Sequence, residues 1–240
     1  MRTRILVCLV YLSLLSFCAQ ATEVSVGFEW RNRYIFNPNV LVVDEPVETI
    51  NLHVAFVSGL YFNTRQAAPS VEQMTEGDYT IGYAFPLSET PWKFDLSINY
   101  YDMFEVGEYV DGDVITPIGR VDYSLPDHLL PFRGSATAFE VFEGYWYLGD
   151  TSNVGYAARD GFITYAGIEC TWSSWRELEL TLGAQYGYAT VDFYDSSFVK
   201  GWFGIAWSFT PKTSLKVGHE YYIGTDADVG GWILTLSHTF

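Results

Sequence analysis

Residues 178–188 read LELTLGAQYGY, with Leu178, Leu180, Leu182, Ala184, Tyr186 and Tyr188 on one face and Glu179, Thr181, Gly183, Gln185 and Gly187 on the other. Side chains of a strand alternate between two faces, whereas a helix brings apolar residues together every three or four positions, so this period of two predicts a strand. Residues 92–101 set Trp92, Phe94, Leu96, Ile98 and Tyr100 against Lys93, Asp95, Ser97, Asn99 and Tyr101. In 199–209, Val199, Phe203, Ile205, Trp207 and Phe209 oppose Lys200, Trp202, Gly204, Ala206 and Ser208, and 214–223 alternates in the same way. The pattern predicts strands at about 23–33, 47–57, 59–65, 76–86, 92–102, 114–125, 136–148, 161–172, 177–189, 198–209, 213–223 and 230–240. That gives about 12 strands, an even number as single-chain bacterial barrels have, with a 10-stranded alternative hidden in 104–148.

The polar faces separate a membrane barrel from a soluble sandwich. A soluble domain would cover its outside with Lys and Glu. Here the polar faces carry Gly, Ser, Thr, Ala and Asn with scattered charges of both signs, which suits a lumen, while the aromatic-rich face suits lipid. Aromatic residues also gather near strand ends (Trp30 and Tyr34, Trp92, Tyr100 and Tyr101, Trp172 and Trp175, and Trp232), as in the interfacial girdles of a barrel. The connections alternate in length. Ser58-Gly59, Ser88–Pro91, Ser173–Arg176 and Thr210–Lys212 are short turns, and Asn37–Pro46, Gln66–Thr75, Met103–Asp113, Gly149–Asp160 and Thr225–Val229 are mostly longer. The fold expected is all-β, a single antiparallel transmembrane β-barrel.

The N-terminus adds an address. Met1–Ala21 joins Arg2 and Arg4, an apolar core from Ile5 to Phe17 and the small-x-small site Ala19-Gln20-Ala21, the parts of a cleaved secretory signal peptide. The expected domains are a signal peptide at 1–21 and the barrel at 22–240. Cys8 and Cys18 leave with the signal, so Cys170 stands alone and neither an internal disulfide nor a cysteine metal site is expected. At the other end, Trp232, Leu234, Leu236, His238 and Phe240 share one face, and a last strand closing on an aromatic is an expected insertion signal for the barrel-assembly machinery. Export by the signal peptide with such a strand predicts the outer membrane of a Gram-negative bacterium.

Composition sharpens this picture. The chain carries 13 Lys and Arg against 29 Asp and Glu, yet 49% of it is hydrophobic and 18% aromatic. Acidic disorder goes with low hydrophobicity and few aromatics, so it is excluded. Nucleic acid is not expected as a partner, because phosphate binding needs a basic face. Cleavage removes two arginines and no carboxylate, taking the formal charge from −16 to −18. The inward parity receives Glu29, Arg31, Arg65, Lys93, Asp95, Arg120, Asp122, Glu169, Glu179, Lys200, Lys216 and Glu220, a set of mixed sign that favours internal ion pairs. Carboxylates gather in the proposed outer loops: Asp44 and Glu45, Glu72 and Glu76, Glu105, Glu108, Asp111 and Asp113, Asp192 and Asp195, Asp226 and Asp228. The D-x-D pairs lack the glycine and distal glutamate of a calcium loop, so they read as a solvated rim beside lipid and lipopolysaccharide, and no metal or cofactor is expected.

Catalysis would need a nucleophile beside an oriented histidine. His219 and His238 lie on the lipid parity without a serine on the same face nearby, His53 lies on the lumen parity, and His128 sits in a turn. No local Ser–His pair results, and no catalytic residue is expected.

Val24-Ser25-Val26-Gly27 running to Arg33-Tyr34-Ile35-Phe36, then Ser58-Gly59-Leu60-Tyr61, then Glu76-Gly77-Asp78-Tyr79-Thr80-Ile81-Gly82-Tyr83 give the chain a further likeness. It resembles the Gcw-type conserved hypothetical family of Gram-negative outer-membrane barrels, with Asn37-Pro38 where that family has Arg-Gly. The resemblance implies an exported barrel and assigns neither an activity nor a functional residue. The expected function is a narrow passive channel or uptake barrel for a small solute. The alternatives are a plugged structural or surface-interaction barrel and an outer-membrane lipid hydrolase.

Overall fold

The computed structural model describes residues 21–36, 40–69, 75–85, 87, 89–104, 114–129, 134–147, 161–175, 177–190, 197–224 and 228–240. The proposed signal peptide, apart from Ala21, and most of the acidic loop residues lie outside them. Twelve strands hydrogen-bond side by side: β1 (Ala21–Arg31), β4 (Val47–Phe56), β5 (Leu60–Pro69), β6 (Thr75–Ala84), β7 (Trp92–Phe104), β8 (Val114–Ser124), β9 (Ser135–Tyr147), β10 (Gly161–Trp175), β11 (Leu178–Ala189), β12 (Ser197–Thr210), β13 (Thr213–Ile223) and β14 (Asp228–Thr239). Each pairs antiparallel with its chain neighbour, and β1 pairs with β14 to close the barrel. Two short strands, β2 (Tyr34–Phe36) and β3 (Val40–Val43), pair with each other inside the connection from β1 to β4. The 12-strand solution therefore holds, and the stretch from β7 to β9 hides no missing pair. The connection read as plain loop over Asn37–Pro46 contains one arm of a hairpin.

The register makes the period of two physical. Phe28 stands between Leu236 and Ile50 on adjacent strands, while the next residue, Glu29, stands between Thr235 and Thr49. One row is apolar and the other polar, and a slip of one residue would exchange them. The apolar rows face outward: Ile50, Ile81, Leu96, Ile98, Leu182, Ile205 and Trp232 are among the large side chains left exposed. In water such a surface would carry a large unfavourable hydration free energy, because contiguous apolar area of this extent is rare on soluble monomers. His219 fits this outer face. It lies between Phe203, stacked at 5.9 Å, and Trp232, edge-on at 4.8 Å, the cross-strand partners that the register gives it.

The ends differ. Links 57–59, 85–91, 125–134, 176–177 and 211–212 sit at one end with the C-terminus, called the short-turn end for its three shortest links, and 32–46, 70–74, 105–113, 148–160, 190–196 and 224–227 sit at the other; 125–134, with ten residues, breaks the expected alternation in length. The turn from β4 to β5 depends on Gly59, whose φ of 93° lies in the left-handed region that glycine enters without steric cost. Its N–H donates to the Phe56 carbonyl at 3.0 Å, and its own carbonyl accepts from Ala84 at 2.8 Å. Within β8, Pro117 pairs with Ile98 on β7, while the bridge to Gly144 on β9 is missing, as a residue without an N–H requires.

Three placements correct the sequence reading. Tyr34 and Tyr101 do not join an outer girdle, since Tyr34 is buried and Tyr101 stands opposite the inward Asp78. Glu76 does not belong to an acidic rim. It is the second residue of β6, points inward and is 1% exposed.

Candidate functional site in the barrel interior

At the long-loop end, Tyr34 and Ile35 of β2, the first arm of the hairpin, turn into the barrel. Asn32 roots the hairpin: its backbone N–H donates to the Trp232 carbonyl at 3.2 Å, and its side-chain oxygen accepts from the Trp232 N–H at 2.6 Å. The chain can pass this close because Gly231 faces inward there; a Cβ on Gly231 would stand 3.3 Å from Asn32 Oδ1 and 3.6 Å from Ile35 Cδ1. Ile35 then joins one apolar cluster with Val114 on β8, Ile163 and Tyr165 on β10, Ala189 on β11, Phe198 on β12, Tyr222 on β13 and Val229 on β14. β8 and β14 are six places apart in a ring of twelve, on opposite sides of the lumen. Inward side chains at the mouth of an empty barrel would be wet. Ile163 at 0% and Phe198 at 2% exposure are dry, so this mouth is filled. A barrel of this size is wider than the eight-stranded kind that side chains alone fill and narrower than an open porin, so a short hairpin is the right scale of filler.

Tyr34 carries the hairpin to the opposite wall. It packs with Val47 and Ala67 in a second cluster, and its hydroxyl donates to Glu76. Burial holds the Tyr34 phenol well above its ordinary pKa, so it stays protonated and able to donate. Arg65 Nη1 binds Glu76 at 3.0 Å and Asp78 at 3.0 Å, and its guanidinium lies over the Tyr34 ring. Across the lumen a second network joins Arg31 to Glu29 at 2.6 Å and to Glu220 at 2.8 Å, with Lys200 on the other oxygen of Glu220 at 3.0 Å. Charges removed from water are tolerated when they are paired, and every charge of both networks has an ion-pair partner, with Asp78 Oδ1 left buried without a hydrogen bond.

Below the hairpin lies a cavity of about 710 Å³ with Tyr34 and Ile35 in its lining at one end and Lys93, Asp122, Thr137 and Lys216 towards the short-turn end. All twelve charges that the sequence parity sent inward stand on inward positions of the register, and ten of them line this cavity. Asp95 and Glu179 are the two that do not. Asp95 accepts a hydrogen bond from Tyr61 at 2.8 Å, and Arg120 pairs with Asp122 at 2.8 Å. Among the described residues, Lys93 and Lys216 have no ion pair. The lining also contains Glu76, Asp78 and Glu143, which the sequence reading left out of its inward set, so the cavity wall carries six Lys or Arg against seven Asp or Glu. That balance gives an anion no advantage.

The hairpin itself escaped the sequence reading, although a signal existed. Tyr34-Ile35-Phe36 and Val40-Leu41-Val42-Val43 flank Asn37-Pro38-Asn39, two short β-prone runs around turn-forming residues. Two of the other histidines are structurally engaged, and His128 is exposed in the turn Asp127–Leu129. His53 Nδ1 meets Asn63 Oδ1 across β4 and β5, and His238 Nδ1 meets the Thr213 hydroxyl at 2.9 Å. Ser25 stands opposite His53 in the register, but no hydrogen bond joins them. The residues of the proposed insertion signal lie on the outer face, with Trp232, Leu234, Leu236 and Phe240 exposed and His238 edge-on to Phe240 at 4.8 Å.

No family model matches the chain, and no curated protein matches it. Solved structures do. The KdgM porin superposes with a TM-score of 0.59 at 8% identity, covering 90% of this chain and 99% of its own. The NanC porin gives 0.58 at 9% identity, with 90% and 98% covered. An outer membrane channel from Pseudomonas putida F1 gives 0.57 at 10% identity, with 92% and 96% covered. At identity this low the superpositions show a shared barrel fold over nearly the whole chain, and the fold alone.

Proposed function

We propose that this chain is an outer-membrane barrel that passes a small solute through its lumen, with the hairpin β2–β3 setting the width at the outer end. The observation that carries the reading is the polar cavity of about 710 Å³ below the hairpin, running towards the short-turn end and roofed by residues that belong to no barrel strand. The outward apolar rows supply the surface that lipid would cover. Three similarly built barrels are described as two porins and an outer membrane channel, which supports passage rather than catalysis. The long-loop end, in this reading, faces out, and the cavity opens towards the periplasm. The near balance of lumen charge suits an uncharged solute or a weak preference for cations.

Reconstitution into vesicles tests the proposal. With the full chain inserted, vesicles shrunk in an impermeant osmolyte should re-swell faster in a small neutral solute than protein-free vesicles do. Equal rates would count against passage and favour the plugged structural barrel, the second reading, whose support is the dry apolar cluster around Ile35.

A further inference from the structure

Four inward aromatic rings press against glycines on neighbouring strands. A Cβ on Gly82 would stand 2.2 Å from the Tyr61 ring, one on Gly187 2.1 Å from Phe198, one on Gly167 2.5 Å from Phe139, and one on Gly183 2.1 Å from Trp202. Such glycines let a ring lie down along the wall instead of standing across the lumen. Two of these pairs have an evident structural use or no access to the cavity: Phe198 is sealed in the apolar cluster, and Tyr61 does not line the cavity. The other two differ. Phe139 leans from β9 over β10, Trp202 leans from β12 over β11, and their centroids come within 6.1 Å with the ring planes inclined at 42°, so that together they form a shallow angled surface. Both border the cavity. The result is one aromatic shelf across four adjacent strands with a floor of Gly167 and Gly183.

The rim of that shelf is polar. Trp202 Nε1 donates to Glu169 at 2.9 Å, and the Arg120 guanidinium stands over Phe139 at 5.3 Å. Gln185, which both donates and accepts, follows Gly183 on the inward face of β11 and lines the cavity. The charged groups at the rings are already answered: Arg120 by Asp122, Glu169 by the indole N–H, and Lys200, whose Nζ stands 5.9 Å from the Trp202 ring centroid, by Glu220. A charged ligand seated on the rings would have to compete with one of these contacts, whereas an uncharged one with hydroxyl edges would add to them; Lys93 and Lys216, without an ion pair among the described residues, line the cavity towards the short-turn end. The cavity volume falls within the ordinary range for small-molecule sites, roughly 300–1,000 Å³.

The geometry points to a binding shelf for an uncharged saccharide, with the C–H face of a pyranose ring on Phe139 and Trp202 and its hydroxyls on Glu169, Gln185 and Arg120. A sugar ring has one flat apolar face and an edge of groups that both donate and accept, and this wall offers the complement of each. The shelf lies on the route that the passage reading requires, and the inference rests on that reading.

Calorimetric titration of the purified full chain in detergent tests it, with a neutral glucose trisaccharide and a uronic-acid trisaccharide as probes. The neutral sugar should bind, weakly, and more tightly than the acidic one. Trp202→Ala should lower its affinity about tenfold or more, and Gly183→Ala should do the same with the indole still present, because the added methyl drives the ring off the wall. Trp202→Phe, which keeps a flat ring, should retain most of the binding and decides the matter if Trp202→Ala does not fold. No binding of the neutral sugar, tighter binding of the acidic one, or unchanged affinity in Gly183→Ala would overturn the shelf. Vesicle swelling is read on the same preparations: swelling without sugar binding refutes the shelf alone, and sugar binding without swelling refutes passage alone.

Discussion

The two ends of the lumen are made from the same alphabet and put it to opposite uses. Near the long loops, Arg65, Glu76, Asp78 and Tyr34 are tied into one network beside a dry apolar cluster, and a hairpin occupies the space. Nearer the short turns, Lys93 and Lys216 stand exposed on the cavity wall without an ion pair among the described residues. One end spends its charge on holding a plug; the other leaves its charge facing water. Burial decides which: a charge removed from water must be paired, and a charge left in water need not be.

This contrast can be broken at several points. Arg65→Met should have the largest effect, because it leaves Glu76 and Asp78 inside the wall without their cation; a loss of about 3–5 kcal/mol is expected. Urea titration followed by the heat-modifiable gel shift measures it, and Glu76→Gln in the same chain should recover part of the loss. Ile35→Ala should cost roughly 2–4 kcal/mol of hairpin docking by opening a cavity in the cluster, read as faster amide exchange at residues 32–36 with barrel strands still protected. Tyr34→Phe removes the hydroxyl that donates to buried Glu76 and should cost about 1–3 kcal/mol. The smallest stability effects belong to the open end. Lys93→Gln and Lys216→Gln should change stability by no more than about 0.5 kcal/mol, yet each should move the reversal potential in a salt gradient towards stronger cation preference. A large stability loss at Lys93 or Lys216, or none at Arg65, would erase the distinction between the two ends.

Much of this was legible in the sequence, and the physics says why. Alternation over 92–101 or 178–188 is long enough to fix the parity of each strand, and parity alone places Lys93, Asp95 or Glu179 inward. The strand count followed because turns such as Ser58-Gly59 interrupt the pattern sharply. Parity says nothing about what enters the lumen from a loop, so the hairpin and the inward turn of Tyr34 were missed. Glu76 was misplaced for a related reason: at the start of β6 it sits beside an acidic stretch, and only Arg65, opposite Asp78 on β5 and diagonal to Glu76, reveals that it is paired and buried. The aromatic shelf was also beyond reach. The sequence puts Trp202 and Gly183 on inward faces of different strands, but only their register brings the ring over the glycine.

Single-channel recording in a planar bilayer tests the central claim most directly, comparing the full chain with a version in which residues 34–43 are replaced by a short Gly-Ser linker. A small conductance is expected for the parent and a clearly larger one, still weakly cation-preferring, for the linker variant. Equal conductance in the two, or none above leak in either, would contradict a solute path whose width the hairpin sets.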